Sequence, residues 1–135
     1  MLIANFPDAI PSINTINYDA DILLTIDVFG IKIGIESTGD PKSRMLDTVA
    51  RLGREEKCNI IICATRTEGA TVNKVDEVAD VYDYHTLWIS TYWSSTLDYK
   101  FLNHSLAKNI VELVTALVHS RLKARNSLPV TSNLN

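Results

Sequence analysis

The stretch Asn59–Thr65, NIIICAT, constrains the fold more than any other part of the chain. It is almost wholly apolar, and it shows none of the alternation expected of a strand with one wet face. It is also far shorter than the roughly 20 apolar residues a membrane helix needs. A short β-branched run of this kind reads as a central parallel strand, buried on both faces. Parallel strands require crossovers, so the run implies an α/β protein with helices on the sheet. A chain of 135 residues is the size of one ordinary domain.

The flanking sequence supplies the other elements. Asp21–Val28 (DILLTIDV) reads as a strand, Phe29-Gly30 as a tight turn, and Ile31–Ser37 as the returning strand of an antiparallel hairpin. The polar loop Ser37-Thr38-Gly39-Asp40 leads to Asp40 and Pro41, an N-cap and first-turn proline. They are expected to open a helix to about Lys57, with Met45, Leu46, Val49 and Leu52 as its apolar stripe. After NIIICAT come a helix over Ala70–Tyr82, a strand over Thr86–Tyr92 with Trp88 in the core, and a long helix over Leu97–Lys123. The last helix is expected to bury Tyr99, Leu102, Leu106, Ile110, Leu113, Leu117 and Val118. The predicted order is β-β-α-β-α-β-α, a three-layer, mostly parallel sheet with an antiparallel N-terminal hairpin. Residues 1–20, broken by Pro7 and Pro11, read as an irregular lead-in, 21–125 as a single α/β domain, and 126–135 as a flexible tail.

Charge and cysteines narrow the function classes. A net charge of −3 provides no global attraction for nucleic acid or anionic membrane. The N-terminal MLIANFPDAIPSI lacks the basic leader of a signal peptide. Cys58 and Cys63 fall on one predicted strand with odd spacing, hence on opposite faces, and cannot bridge. They read as buried thiols of a reducing compartment, and the expected location is cytoplasmic. His85, His104 and His119 are scattered and form no metal-binding pattern.

In open α/β sheets, ligands bind outside the carboxyl ends of the strands. Three such ends carry Glu36-Ser37-Thr38-Gly39-Asp40, Thr65-Arg66-Thr67-Glu68-Gly69 and Ser90-Thr91-Tyr92-Trp93-Ser94-Ser95. Helices opening near Pro41 and Ala70 aim free N–H groups at the same side, which suits phosphate or carboxylate. Glu36 and Asp40 are candidate Mg²⁺ ligands, and Glu36 is also the candidate to orient a nucleophilic water. The plainer readings are a helix cap for Asp40 and a solvated strand-end carboxylate for Glu36. Arg66 reads either as a phosphate clamp or as the salt-bridge partner of Glu36, Asp40 or Glu68. Its place directly after the buried strand predicts that it lies beside the Glu36–Asp40 loop. Ser37, Thr38, Gly39 and Thr67 complete the candidate ligand contacts. Trp93, in an exit loop, is a candidate to stack on a base.

The hairpin ILLTIDV-FG-IKIGIE running into Glu36-Ser37-Thr38-Gly39 resembles the arrangement of P-loop GTPases and ATPases, where a β-hairpin ends in an acidic D-x-x-G switch. The strings IGIESTGDPKSR and CNIIICATRTEGATV are similar to a bacterial group of P-loop-like proteins. The resemblance spans Asp21 to Trp93 and implies a nucleotide with Mg²⁺. Three departures stand out. Residues 1–20 contain no glycine, so the G-x-x-x-x-G-K-[ST] loop is missing with its β-α unit; Glu36 replaces the aspartate; and Ala64-Thr65-Arg66-Thr67 replaces N-K-x-D. The implied protein is a truncated or degenerate nucleotide- or phosphate-binding relative, weakly active or inactive alone.

Two other classes stay open. A missing β-α unit would leave a sheet edge for a partner strand or a second copy, as in a non-catalytic interaction or regulatory subunit. Asp27, Lys32 and Glu36 on one hairpin also suggest a metal-dependent nuclease, although Ser37-Thr38 breaks the E-x-K spacing.

Overall fold

A computed structural model describes residues 1–13, 15–17, 20–39 and 45–127. The chain divides into two compact units, Asp8–Ser90 and Met1–Pro7 together with the chain from Thr91 onward. Its elements are α1 (Leu2–Asn5), β1 (Ile10–Pro11), β2 (Leu23–Val28), β3 (Ile31–Glu36), α2 (Met45–Arg54), β4 (Ile60–Cys63), α3 (Ala70–Tyr82) and α4 (Tyr99–Ser127). The described residues form a mixed α/β structure with a four-stranded open sheet and four helices. Among the described residues no helix is long and apolar enough to cross a membrane.

The first unit holds the sheet, in the order β1-β2-β3-β4. The predicted hairpin is present, with β2 and β3 antiparallel and Val28 opposite Ile31. Phe29 (φ 52°) and Gly30 (φ 83°) both take positive φ, as a two-residue type I′ connection requires. Asp27 Oδ1 accepts the Gly30 N–H at 2.8 Å and braces the turn. Leu24, Ile26, Val28, Ile31 and Ile33 point to one face and are buried. β4 runs parallel to β3, with Ile33 opposite Ile60 and Glu36 opposite Cys63.

α2 packs over the other face of the sheet, across Gly34. A methyl group there would stand 3.0 Å from both Cys58 Sγ and a Leu52 methyl, so glycine sets the helix–sheet distance. Gly53 does the same between α2 and α3, where an added carbon would meet Tyr82 at 3.1 Å and Val78 at 3.3 Å. Val49 and Val78 centre the resulting cluster, with Leu46, Val75, Cys63, Tyr82 and Tyr84 around them.

In the second unit α1 packs on α4. Asn5 donates to Thr115 Oγ1 at 3.4 Å, and the buried Phe6 ring meets His119 edge-on, with centroids 5.7 Å apart.

Several expectations are corrected. NIIICAT supplies β4, but β4 ends the sheet among the described residues and is half-buried throughout; β2 and β3 are central. An apolar run reports contact with both faces of a strand, not hydrogen bonding along both edges. Thr86–Tyr92 is not a strand: it joins no ladder, and every residue from His85 to Trp93 is exposed, Trp88 at 51% included. Its β-propensity is a local preference worth about 1 kcal/mol at most, and it needs an edge to act on. The element order therefore has three strands before α2, not two, and no strand between α3 and α4. Ordered pieces, α1 and β1, lie within the predicted irregular lead-in, and Pro11 is tolerated because β1 is an outer strand.

On α4, Val114 and Val118 are buried whereas Leu113 and Leu117 are exposed. Successive residues sit about 100° apart on a helix, so a small rotation exchanges adjacent apolar columns. Cys58 precedes β4, so strand alternation does not govern it. Its Sγ lies over Gly34, on the same sheet face as Cys63, and both thiols are free. α2 ends at Arg54, with Lys57 beyond it at φ 51°. The proposed cap at Asp40 and Pro41 and the tail from 128 lie outside the described residues.

Candidate functional site

The parallel pairing of β3 with β4 brings their carboxyl ends to one edge, as the sequence predicts. Gly39 then lies against Ala64: an added carbon at Gly39 would sit 3.2 Å from the Ala64 methyl, and its φ of +65° suits glycine. Glu36-Ser37-Thr38-Gly39 and the stretch after Cys63 are thus neighbours.

Glu36 dominates this edge. It is only 2% exposed, although it ends a strand. The expectation of a solvated carboxylate is therefore wrong. Its strand neighbours are Leu23 on β2 and Cys63 on β4, and all three point to the α2 face. Oε1 accepts the Thr38 N–H at 2.7 Å. Oε2 is buried without a hydrogen-bond partner among the described residues. A buried polar atom of this kind is unusual and marks either strain or a missing ligand.

The remaining candidates divide by role. Ser37 is structural. Its Oγ accepts the Ile22 N–H at 2.7 Å and its own N–H goes to Ile22 O at 2.9 Å, which extends the β2–β3 ladder. Thr38 turns the chain back onto Glu36. Asp40 lies outside the described residues. Arg66 and Thr67 are exposed at the same edge. The Arg66 N–H donates to Thr71 Oγ1 at 3.0 Å, and Thr71 is itself buried at the start of α3. Trp93 is 84% exposed and belongs to the other compact unit.

One residue was missed. The Ile22–Ser37 bonds continue the ladder past Leu23 and bring the backbone of Asp21 to the Glu36 end of the hairpin. Asp21 is exposed and one strand step from the cross-strand partner of Glu36. Its position at the start of DILLTIDV concealed it, since only the register relates it to Glu36.

The nuclease trio does not assemble. Asp27 is spent on the hairpin turn. Lys32 pairs with Glu56 at 3.4 Å. Both lie at the far end of the hairpin, roughly 13 Å from Glu36 along the strand. No group of three or more His, Cys, Asp or Glu side chains able to hold a metal occurs among the described residues.

The neighbouring thiols are passive. Burial pushes the Cys63 thiol up to about 11, and the negative charge of Glu36 adds to the shift. Burial also pushes Cys58 up to about 11, with Lys32 opposing the shift and Glu56 adding to it. Both thiols stay protonated, hence poor nucleophiles, near neutral pH.

No protein-family model matches the chain, and neither a curated protein nor a solved structure matches it.

Proposed function

We propose that the protein is a phosphate-binding α/β domain, whose ligand is a nucleotide or another phosphate ester held through a Mg²⁺ ion on Glu36. One observation carries this reading: a fully buried carboxylate at the carboxyl edge of the sheet has one oxygen without a partner among the described residues. An uncompensated buried charge costs several kcal/mol, and a divalent cation would offset that cost. Mg²⁺ is commonly bound by one or two carboxylates, with waters and phosphate oxygens completing its octahedron. Glu36 would be the fixed ligand, and Asp21 or Asp40 the second. Thr38, Gly39, Arg66 and Thr67 would meet the phosphate.

The finer likeness, a three-layer P-loop-like core without its first β-α unit, forms part of this proposal. Since β3 is hydrogen-bonded directly to β4, a phosphate-cradling unit from elsewhere would have to add outside β4 or β1. The sequence has no G-x-x-x-x-G-K-[ST] lysine, so phosphoryl transfer lacks its main electrostatic support. The function is binding, with turnover slow or absent.

Thermal unfolding with Mg²⁺ alone, then with Mg²⁺ and ATP, GTP or inorganic phosphate, tests the reading. A ligand at 100 times its Kd stabilises by about 2.7 kcal/mol, and Glu36→Gln should abolish the effect. No shift with any of these at millimolar concentration sinks the proposal.

A further inference from the structure

Among the described residues, two strand-like segments lack a strand partner on at least one side. β4 is the last strand of the sheet, and its residues Ile60–Cys63 bear no charge or proline to guard the edge. Thr86–Tyr92 has the composition of a strand, yet it joins no strand among the described residues and is exposed along its length. Each end of that stretch is held within its own unit. The Tyr84 hydroxyl donates to the Cys58 carbonyl, and the Tyr92 hydroxyl accepts from Asn109 Nδ2 at 2.8 Å. The residues between belong to no helix or strand, so pairing would not have to break structure already formed.

We propose that the protein forms a dimer by reciprocal strand addition, in which Thr86–Thr91 of one copy pairs along the free edge of β4 of a second copy. Three observations select a second copy as the occupant. The donor strand and the open edge occur in the same chain, as two-fold exchange requires. Tyr84–Leu97 contains no Asp, Glu, Lys or Arg, so neither like-charge repulsion nor a foreign charge pattern enters the contact. Such an uncharged, proline-free, β-branched and aromatic stretch is the type that adds to an unguarded strand edge. The area fits as well. With Leu87 and Trp88 more than half exposed, Ile89 and Tyr92 somewhat under half and Trp93 at 84%, the stretch exposes roughly 600 Å² of apolar surface, taking about 150–250 Å² for a whole aromatic side chain. A soluble monomer rarely exposes more in one patch, and a standard interface covers about 800 Å² per partner, somewhat over half of it apolar.

Sedimentation equilibrium of the full chain from about 1 to 100 µM, run beside amide hydrogen exchange at both ends of that range, tests the dimer. The expected result is a reversible doubling of mass, with the Thr86–Thr91 amides exchanging at least tenfold more slowly at the high concentration. Ile89→Pro removes one ladder N–H from a segment exposed in the monomer. It should weaken dimerisation at least tenfold and leave the far-ultraviolet spectrum unchanged. A monomer at 100 µM overturns the proposal. So does a dimer whose Thr86–Thr91 amides exchange freely, or protection independent of concentration, which would mean closure onto the chain's own β4.

Discussion

The carboxyl end of β3 and the stretch from His85 to Trp93 depart from the burial rule in opposite directions. At the first, a carboxylate lies inside a packed sheet, 2% exposed, between Leu23 and Cys63. At the second, two indoles and the aliphatic side chains of Leu87 and Ile89 face water. Burying a charge and exposing a large apolar patch both cost free energy, so each marks a place that the fold leaves unfinished. The natures of the two costs differ. An orphaned charge asks for a counter-charge, whereas an unpaired apolar strand asks for another strand.

The strongest way to break this comparison is a volume change on each side. Gly34→Val should destabilise the protein by about 3 kcal/mol, because the new side chain meets Cys58 and Leu52 at contact distances already exhausted by a single methyl. Trp93→Ser, although it removes far more volume, should change monomer stability by about 0.5 kcal/mol or less. Urea unfolding at low protein concentration measures both. Equal effects would mean that the Trp93 region is packed.

Next in size is the alkaline response of the packed face. Cys58 and Cys63 have pKa values raised to about 11 from an ordinary 9.0. Between these values the native thiols keep protons that the unfolded chain has released. Stability is therefore undiminished below pH 9 and falls as pH rises towards 11, by up to about 1.4 kcal/mol per pH unit for each thiol. Unfolding free energies at pH 8 and pH 10 should differ by about 2 kcal/mol more in the wild type than in a Cys58→Ala, Cys63→Ala variant.

Glu36→Gln sharpens the comparison on its polar side. Gln keeps an oxygen for the Thr38 N–H and removes the buried charge. The metal-free variant should be more stable than wild type by about 1–2 kcal/mol at neutral pH. A loss of stability in chemical denaturation would show that Oε2 is compensated after all. The smallest effect is expected at the hairpin tip. Phe29 holds φ 52°, where a bulky residue is strained. Phe29→Asn supplies the preferred type I′ pair and should raise the unfolding free energy by about 0.5–1 kcal/mol, measured by urea unfolding.

How much could be read in advance depended on the range of the interactions. The α3 boundaries Ala70–Tyr82 and the β2–β3 hairpin were legible because periodicity and turn chemistry act over a few residues. The parallel pairing of β3 and β4 followed from the crossover rule, and with it the shared carboxyl edge of these two strands. The Glu36 environment was not legible, since nothing in IKIGIEST distinguishes a buried strand-end carboxylate from a wet one. Asp21 was hidden for a related reason: it is fifteen residues from Glu36 in sequence and related to it only through register.

The sequence by itself determined the β2–β3 hairpin, the extended run of β4 and the helix α3, and that at least one pair of strands runs parallel. Tertiary structure alone decided that, among the described residues, β4 sits at an edge and Thr86–Tyr92 joins no strand, and that Glu36 is buried. The physical reason is that pairing and burial are properties of two surfaces. Alternation and propensity describe one surface, with preferences near 1 kcal/mol, and whichever opposing surface is present can override them.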